Sequence, residues 1–121
     1  MKTRLLILLT ALMLSSCSAN LRSFQSSHVL IDNGMSKKEV LEVMGAPGDR
    51  QFSGDDEAWQ YCANSYGLEP HQYVIIWFYK GRVTGINSYK SSYMGFCQGA
   101  FKTIRWQEAP DRTIEIRSKE L

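Results

Sequence analysis

One eight-residue segment near the middle of the chain restricts the possible folds more than any other. Gln72 to Tyr79 reads Gln-Tyr-Val-Ile-Ile-Trp-Phe-Tyr and is rich in β-branched and aromatic residues, which favour strands. Its alternate positions are apolar on both sides, with Tyr73, Ile75, Trp77 and Tyr79 on one face and Val74, Ile76 and Phe78 on the other. Such a strand is typical of a sheet interior, so both faces of the predicted sheet need a cover.

Neighbouring segments supply further strands. From Asp49 onward the sequence period is two, and Glu57–Cys62 alternates in this way. Lys80 and Gly81 make a tight turn from the central strand into Arg82–Tyr89, which predicts a β-hairpin. Because these strands follow one another at short intervals, the sequence predicts an antiparallel meander.

A helix is predicted from Ser36 to Met44. Ser36 and Glu39 form a capping box, in which each side chain can bond the backbone amide of the other residue. The apolar face of this helix consists of Val40, Leu41 and Met44. Gly45 suits the left-handed position after a helix, and Pro47 prevents the helix from continuing. We therefore expect a short helix that packs on one face of the sheet.

Weaker signals lie on either side of these elements. Ser26–Asn33 predicts a short helical turn before the helix. Phe101–Trp106 and Thr113–Arg117 look like strands and are separated by a turn at 109–111, which predicts one more hairpin. The fold class predicted from the whole pattern is α+β, with short N-terminal helices on a small antiparallel sheet. The second face of the sheet would meet either the C-terminal segment or a partner.

The N-terminus is typical of a bacterial lipoprotein signal. Lys2 and Arg4 precede an apolar run from Leu5 to Leu14, and the next residues are Ser-Ser-Cys17. The run is much shorter than the roughly 20 residues that span a bilayer. The string before Cys17 resembles the lipobox at which signal peptidase cuts before a diacylated cysteine. The alternative is an ordinary signal peptide, or a buried N-terminal helix, in which Cys17 has no special role.

Lipidation would determine where the chain works. Residues 1–16 are the predicted signal, 17–27 a lipidated tether and 28–121 a single domain, so that cleavage leaves 105 of the 121 residues. The resemblance to lipoproteins implies a diacylglycerol and an N-acyl lipid on Cys17, and two or more acyl chains give stable anchoring. Ser18, where Asp would favour the inner membrane, favours the periplasmic face of the outer membrane.

Two cysteines remain in an oxidising compartment. Cys62 and Cys97 therefore predict a disulfide that closes a 35-residue loop, worth about 3–4 kcal/mol in the chain-entropy model. The alternative is two buried free thiols. A redox role is disfavoured because the sequence contains no Cys-x-x-Cys motif.

The composition argues against several functions. The signal contributes two of the 14 basic residues, so the mature chain has 12 basic and 12 acidic residues and no basic excess for nucleic acid. The histidines, His28 and His71, accompany no Gly-x-Ser-x-Gly motif. The acidic run 55–57 lacks the spacing of a calcium loop and is interpreted as a solvated loop. We predict no enzyme, no metal and no cofactor other than the lipid.

The segment from Gly34 to Pro47 resembles the SmpA/OmlA (BamE-like) family of outer-membrane lipoproteins. It reads Gly-Met-Ser-Lys-Lys-Glu-Val-Leu-Glu-Val-Met-Gly-Ala-Pro and is similar to the family's Gly-Met-Thr/Ser…Val…Leu/Met-Gly-x-Pro pattern. Trp59 and Tyr61 match the Trp-x-Tyr that opens a family strand. The resemblance covers about residues 28–90 and leaves 91–121 unaligned. It implies a two-layer sandwich in which Gly34, Ser36, Glu39, Gly45 and Pro47 are structural residues at the helix boundaries.

The resemblance also implies a non-enzymatic protein that binds envelope proteins, either within or related to the outer-membrane β-barrel assembly machinery. Trp59, Tyr61 and Tyr73 are the predicted contact residues, since Tyr and Trp are enriched in interfaces. An alternative is a tethered periplasmic inhibitor or ligand-binding module, because the family fold resembles that of a proteinaceous β-lactamase inhibitor. A further alternative is a structural lipoprotein that supports envelope integrity.

Overall fold

A four-stranded antiparallel sheet forms the centre of the molecule, with its strands in sequence order. The computed structural model describes residues 27–65 and 67–110. The strands are β1 (Asp49–Ser53), β2 (Asp56–Ala63), β3 (His71–Tyr79) and β4 (Arg82–Ser91). The described residues also form the α-helix α1 (Lys37–Met44) and the short 3-10 helices η1 (His28–Leu30), η2 (Cys97–Ala100) and η3 (Trp106–Glu108). The predicted α+β class and antiparallel meander are confirmed.

Strand β3 is the interior strand that the sequence predicted. It pairs with β2 on one side and with β4 on the other, and Ile75, Ile76 and Trp77 are buried. The sheet has two distinct ends. We call the end with the turns at 54–55 and 80–81 the turn end, and the end with the loop 64–70 and the segment 92–97 the loop end.

Helix α1 covers one face of the sheet, and its boundaries follow from local chemistry. The Ser36 hydroxyl accepts a hydrogen bond from the Glu39 amide at 3.2 Å, and the Glu39 carboxylate accepts one from the Ser36 amide at 2.7 Å. Gly45 follows the helix with a positive φ of 76°. Its amide donates to the Leu41 carbonyl at 2.9 Å. The predicted capping box and C-terminal glycine are confirmed.

The chain before α1 also joins the sheet. The Gly34 amide donates to the Val83 carbonyl at 2.8 Å, and the Val83 amide donates to the Met35 carbonyl at 2.9 Å. These bonds place the start of α1 beside β4 at the turn end. The core between α1 and the sheet contains Ile31, Val40, Trp59, Tyr61, Val74, Ile76, Phe78 and Val83.

A C-terminal segment, residues 97–110, covers the opposite face, and we call it the strap. Phe101 meets the Tyr73 ring edge to face at 5.8 Å, and Trp106 meets Trp77 at 6.2 Å. Ile104 is buried against this face. The second face is therefore covered by the chain itself, one of the two possibilities that the sequence left open.

The predicted strand at 101–106 is wrong, because backbone groups of the strap bond to side chains instead of to a neighbouring strand. The Lys102 carbonyl accepts from the side-chain amides of Gln60 at 2.7 Å and Gln51 at 3.0 Å. The Ile104 amide donates to the Gln51 side chain at 2.9 Å. The companion strand predicted at Thr113–Arg117 lies outside the described residues.

A disulfide joins Cys62 and Cys97, as predicted, with Cα atoms 6.0 Å apart. It ties the end of β2 to the beginning of the strap. The predicted signal, Cys17 and all but the last residue of the predicted tether lie outside the described residues.

Candidate functional site

Trp59 and Tyr61, two of the three predicted contact residues, lie in the core beneath the helix layer. Both are almost fully buried. The Trp59 ring packs on Phe78 with centroids 4.6 Å apart. The Tyr61 hydroxyl donates to the Gly45 carbonyl at 2.9 Å. Burial raises the pKa of Tyr61 far above its usual value, so the hydroxyl stays protonated and serves as a donor.

Tyr73, the third predicted contact residue, lies on the opposite face beneath the strap. Its ring stacks on Tyr89 at 4.5 Å and its hydroxyl donates to the Cys97 carbonyl at 2.8 Å. The expected common contact face of Trp59, Tyr61 and Tyr73 is therefore corrected: the three residues belong to two buried layers. Their size fills the core of a small sheet, and none of them presents a surface to a partner.

A polar groove at the turn end is the first open surface that the structure reveals. Its volume is about 280 Å³, and it is lined by Lys37, Phe52, Gly54, Asp55, Asp56, Glu57, Lys80 and Gly81. The Phe52 side chain is 74% exposed at this site. The signal in the sequence is a single aromatic residue in the otherwise polar run Asp-Arg-Gln-Phe-Ser-Gly-Asp-Asp, and Phe52 is not among the contact residues predicted from the sequence.

Glu57 organises the charges at the inner side of this groove. It forms ion pairs with Lys37, from the first turn of α1, and with Arg50 of β1, whose Nη2 lies 2.6 Å away. Trp59 donates to the same carboxylate through Nε1 at 2.7 Å. Burial acts to raise the pKa of Glu57, but hydrogen bonds from Lys37, Trp59 and Arg50 outweigh it and lower the pKa to about 2. The carboxylate therefore stays charged and holds two cations beside Phe52.

The loop end carries a second and very different surface. Its exposed large apolar side chains are Leu68, Tyr93, Met94 and Phe96, and we call these four the rim. A groove of about 270 Å³ lies between the two loops and is lined by Asn64, Ser65, His71, Gly95 and Phe96.

His71 holds the two loops of this end together. Its Nδ1 accepts from the Ser65 amide at 2.9 Å. Its other nitrogen, Nε2, is therefore the protonated one and donates to the Gly95 carbonyl at 2.7 Å. The ring is 7% exposed and both nitrogens are occupied, so it joins the loops structurally instead of presenting a free base.

Two other kinds of site are absent from the described residues. In residues 27–65 and 67–110, no group of three or more His, Cys, Asp or Glu residues is placed to hold a metal ion. No helix within the same ranges is long and apolar enough to span a membrane. Comparison of the chain with protein-family models, curated proteins and solved structures found no match.

Proposed function

We propose that this protein is a non-enzymatic lipoprotein, anchored through Cys17 at the periplasmic face of the outer membrane, that binds envelope proteins. The lipobox-like sequence before Cys17 supports the anchor. The disulfide between Cys62 and Cys97 fits an oxidising compartment. A small domain with a sheet covered on both faces is suited to presenting surfaces to other proteins.

The exposed Phe52 is the observation that carries the binding role. Large aromatic side chains tend to be buried in a small domain, as Trp59 and Phe78 are here, yet Phe52 is 74% exposed. Charged groups surround it, including Lys37 and Lys80. Aromatic residues are enriched at the centres of interfaces, and polar groups form the surrounding rim. The turn-end groove is therefore the proposed site for an envelope protein.

A finer proposal is that the partner belongs to the outer-membrane β-barrel assembly machinery. The Gly34–Pro47 segment supports it, because that segment resembles the SmpA/OmlA pattern and forms the capped helix that this family's two-layer sandwich would require. Gly34, Ser36, Glu39 and Gly45 act at the ends of this helix, and Pro47 follows it before β1. In this proposal they are structural residues that position Lys37 at the groove.

Photo-crosslinking in cells tests the binding role. A photoreactive residue replaces Phe52, and the matched control carries the same residue in place of Glu42, which is exposed on α1. We expect position 52 to capture a specific envelope protein and position 42 to capture much less of it. Capture of barrel-assembly components would support the finer proposal. Equal, unspecific capture at both positions would contradict binding through the groove.

A substitution separates binding from folding. Phe52→Ala removes an exposed ring, so it leaves the thermal midpoint of the domain nearly unchanged while reducing partner capture. Loss of folding together with capture would mean that Phe52 is a structural residue.

A further inference from the structure

The two ends of the sheet differ in their chemistry, and this difference indicates an orientation at the membrane. We propose that the loop end rests on the lipid surface, with the side chains of the rim inserted at the boundary between headgroups and acyl chains. This inference rests on the lipid anchor of the proposed function. It assigns the lipid surface as the occupant of the rim, which the proposed function does not involve.

The rim has the composition of an interfacial membrane contact. Met94 is 94% exposed, Phe96 is 79% exposed, and Leu68 is fully exposed. Tyr93, about half-exposed, combines an apolar ring with a polar tip, which suits the headgroup level. Exposed apolar side chains grouped on neighbouring loops mark an interaction site, whereas scattered ones carry no such meaning.

The distribution of charged residues also favours the loop end as the membrane-facing end. The run from Ser91 to Phe101 contains no charged residue, the loop 64–70 contains a single one, Glu69, and Lys90 lies just before Ser91. The turn-end groove, by contrast, is lined by two lysines and three carboxylates. Placing the turn end on lipid would require desolvation of these five ions, whereas the loop end brings mainly apolar side chains and a single carboxylate, Glu69, to the bilayer.

The rim is held in a fixed shape before it meets any partner. Cys97, the last residue of the segment 92–97, is bonded to Cys62, and its amide donates to the Asn64 side chain at 2.7 Å. His71 fixes Gly95, between Met94 and Phe96, through the 2.7 Å bond described above. These contacts hold the backbone of the segment at Gly95 and Cys97, on either side of Phe96, so that membrane binding requires less ordering of this segment.

The position of the anchor selects lipid as the occupant of the rim. His28, close to the first described residue, borders a groove with Gln72 and Lys90, so the described chain starts near the loop end. Nine residues lie between Cys17 and Ser27, so that the ten steps from one to the other span at most roughly 35 Å. The nine-residue strand β3 is itself about 30 Å long. Because the described chain starts near the loop end, the turn end would reach the membrane only with an almost fully extended tether laid along the whole sheet, whereas the loop end needs no such extension.

Depth-dependent fluorescence quenching tests the orientation. The full lipidated protein is inserted into vesicles of phosphatidylethanolamine and phosphatidylglycerol whose acyl chains are brominated. A tryptophan probe is introduced by Met94→Trp, with Phe96→Trp as a second probe and Phe52→Trp as the control at the opposite end. All three positions are exposed, so the core stays intact, and the unsubstituted protein gives the baseline of the native tryptophans.

We expect the emission of the Met94→Trp and Phe96→Trp probes to shift to the blue and to be quenched several-fold more than that of Phe52→Trp. If the protein sediments with the vesicles but neither rim probe is quenched, the orientation is wrong, while the anchor and the turn-end site remain. If the protein does not sediment, the anchor itself fails and the orientation fails with it. Capture of a protein from position 94 in cells, without quenching in vesicles, would replace lipid by a protein as the occupant.

Discussion

At the scale of single residues, Glu57 shows how one carboxylate joins several elements. It lies on β2 and pairs with Lys37 of α1 and Arg50 of β1, while Trp59 donates to it from the same strand. The Arg50 guanidinium also stacks 5.4 Å above the Trp59 ring. A buried carboxylate on its own would be costly, so these donors are needed to keep Glu57 charged. The sequence interpretation of residues 55–57 as a solvated loop is therefore wrong at Glu57.

The pKa of Glu57 predicts how stability depends on pH. Folding lowers this pKa from the usual 4.5 to about 2, so the folded state binds the proton more weakly than the unfolded state does. The stabilisation is complete above pH 4.5 and is lost as the pH falls toward 2. Allowing for solvent screening of the cations, it amounts to about 1–2 kcal/mol of unfolding free energy. Urea unfolding at a series of pH values measures it.

A single substitution isolates this contribution. Glu57→Gln keeps an oxygen for the Trp59 N–H but removes the charge that pairs with Lys37 and Arg50. We expect a loss of about 1–2 kcal/mol at pH 7 and a weaker acid dependence between pH 4.5 and 2. Glu42→Gln, at an exposed position on α1, is the control and should change neither quantity. An unaltered acid dependence in Glu57→Gln would show that another group controls it.

At the scale of elements, the sequence predicted those whose signals are local. The capping box at Ser36, the positive-φ turn at Lys80 and Gly81, and the apolar β3 all depend on neighbouring residues, and each is present. The strap does not depend on local signals. Its hydrogen-bond partners, Gln51 and Gln60, lie some 40 to 50 positions earlier in the chain. The pattern of apolar and polar residues in 101–106 contains no information about these distant partners.

Gly85 provides a test of the strap. A Cβ atom at this position would lie 2.5 Å from Cγ of Pro110, so that a side chain on β4 would push the end of the strap away. Gly85→Ala should therefore lower the unfolding free energy by about 1–2 kcal/mol and increase proteolysis within the strap. Ser88→Ala, on the exposed part of the same strand, is the control. Unchanged proteolysis in Gly85→Ala would show that Pro110 does not pack tightly against Gly85.

The disulfide predicts a larger effect on stability. Cys62→Ala with Cys97→Ala opens a 35-residue loop and should lower the unfolding free energy by about 3 kcal/mol. Urea unfolding of the native and doubly substituted proteins measures the difference, and a thiol reductant should affect only the native protein. Equal midpoints for the two proteins would show that the bond adds no stability.

At the scale of the whole molecule, the two ends of the sheet have separate proposed roles. The loop end presents apolar side chains on two loops beside the disulfide that joins β2 to Cys97. The turn end presents Phe52 among ions ordered by Glu57. With the loop end on the membrane, the turn end would point into the periplasm, where envelope proteins can reach it. Anchor and partner site would then lie at opposite ends of one rigid sheet.

The sequence predicted the candidate site less well than the fold. Trp59, Tyr61 and Tyr73 were selected because aromatic residues are common in interfaces, but the same residues are the ones that fill a small core. Whether an aromatic residue of the sheet is exposed depends on the segments that cover the two faces. The strap, which covers one of them, could not be predicted from the sequence. Phe52 and Met94 lie in polar or glycine-containing stretches without periodicity, so only the fold distinguishes them from ordinary loop residues.

The proposed location, orientation and partner class of the protein all depend on the lipid anchor at Cys17. Intact-mass analysis of the protein extracted from outer membranes tests it most directly. We predict a chain that begins at Cys17, lacks residues 1–16, and carries the added mass of a diacylglycerol and an N-acyl group. A chain that retains Met1, or that begins elsewhere with an unmodified Cys17, would contradict the account.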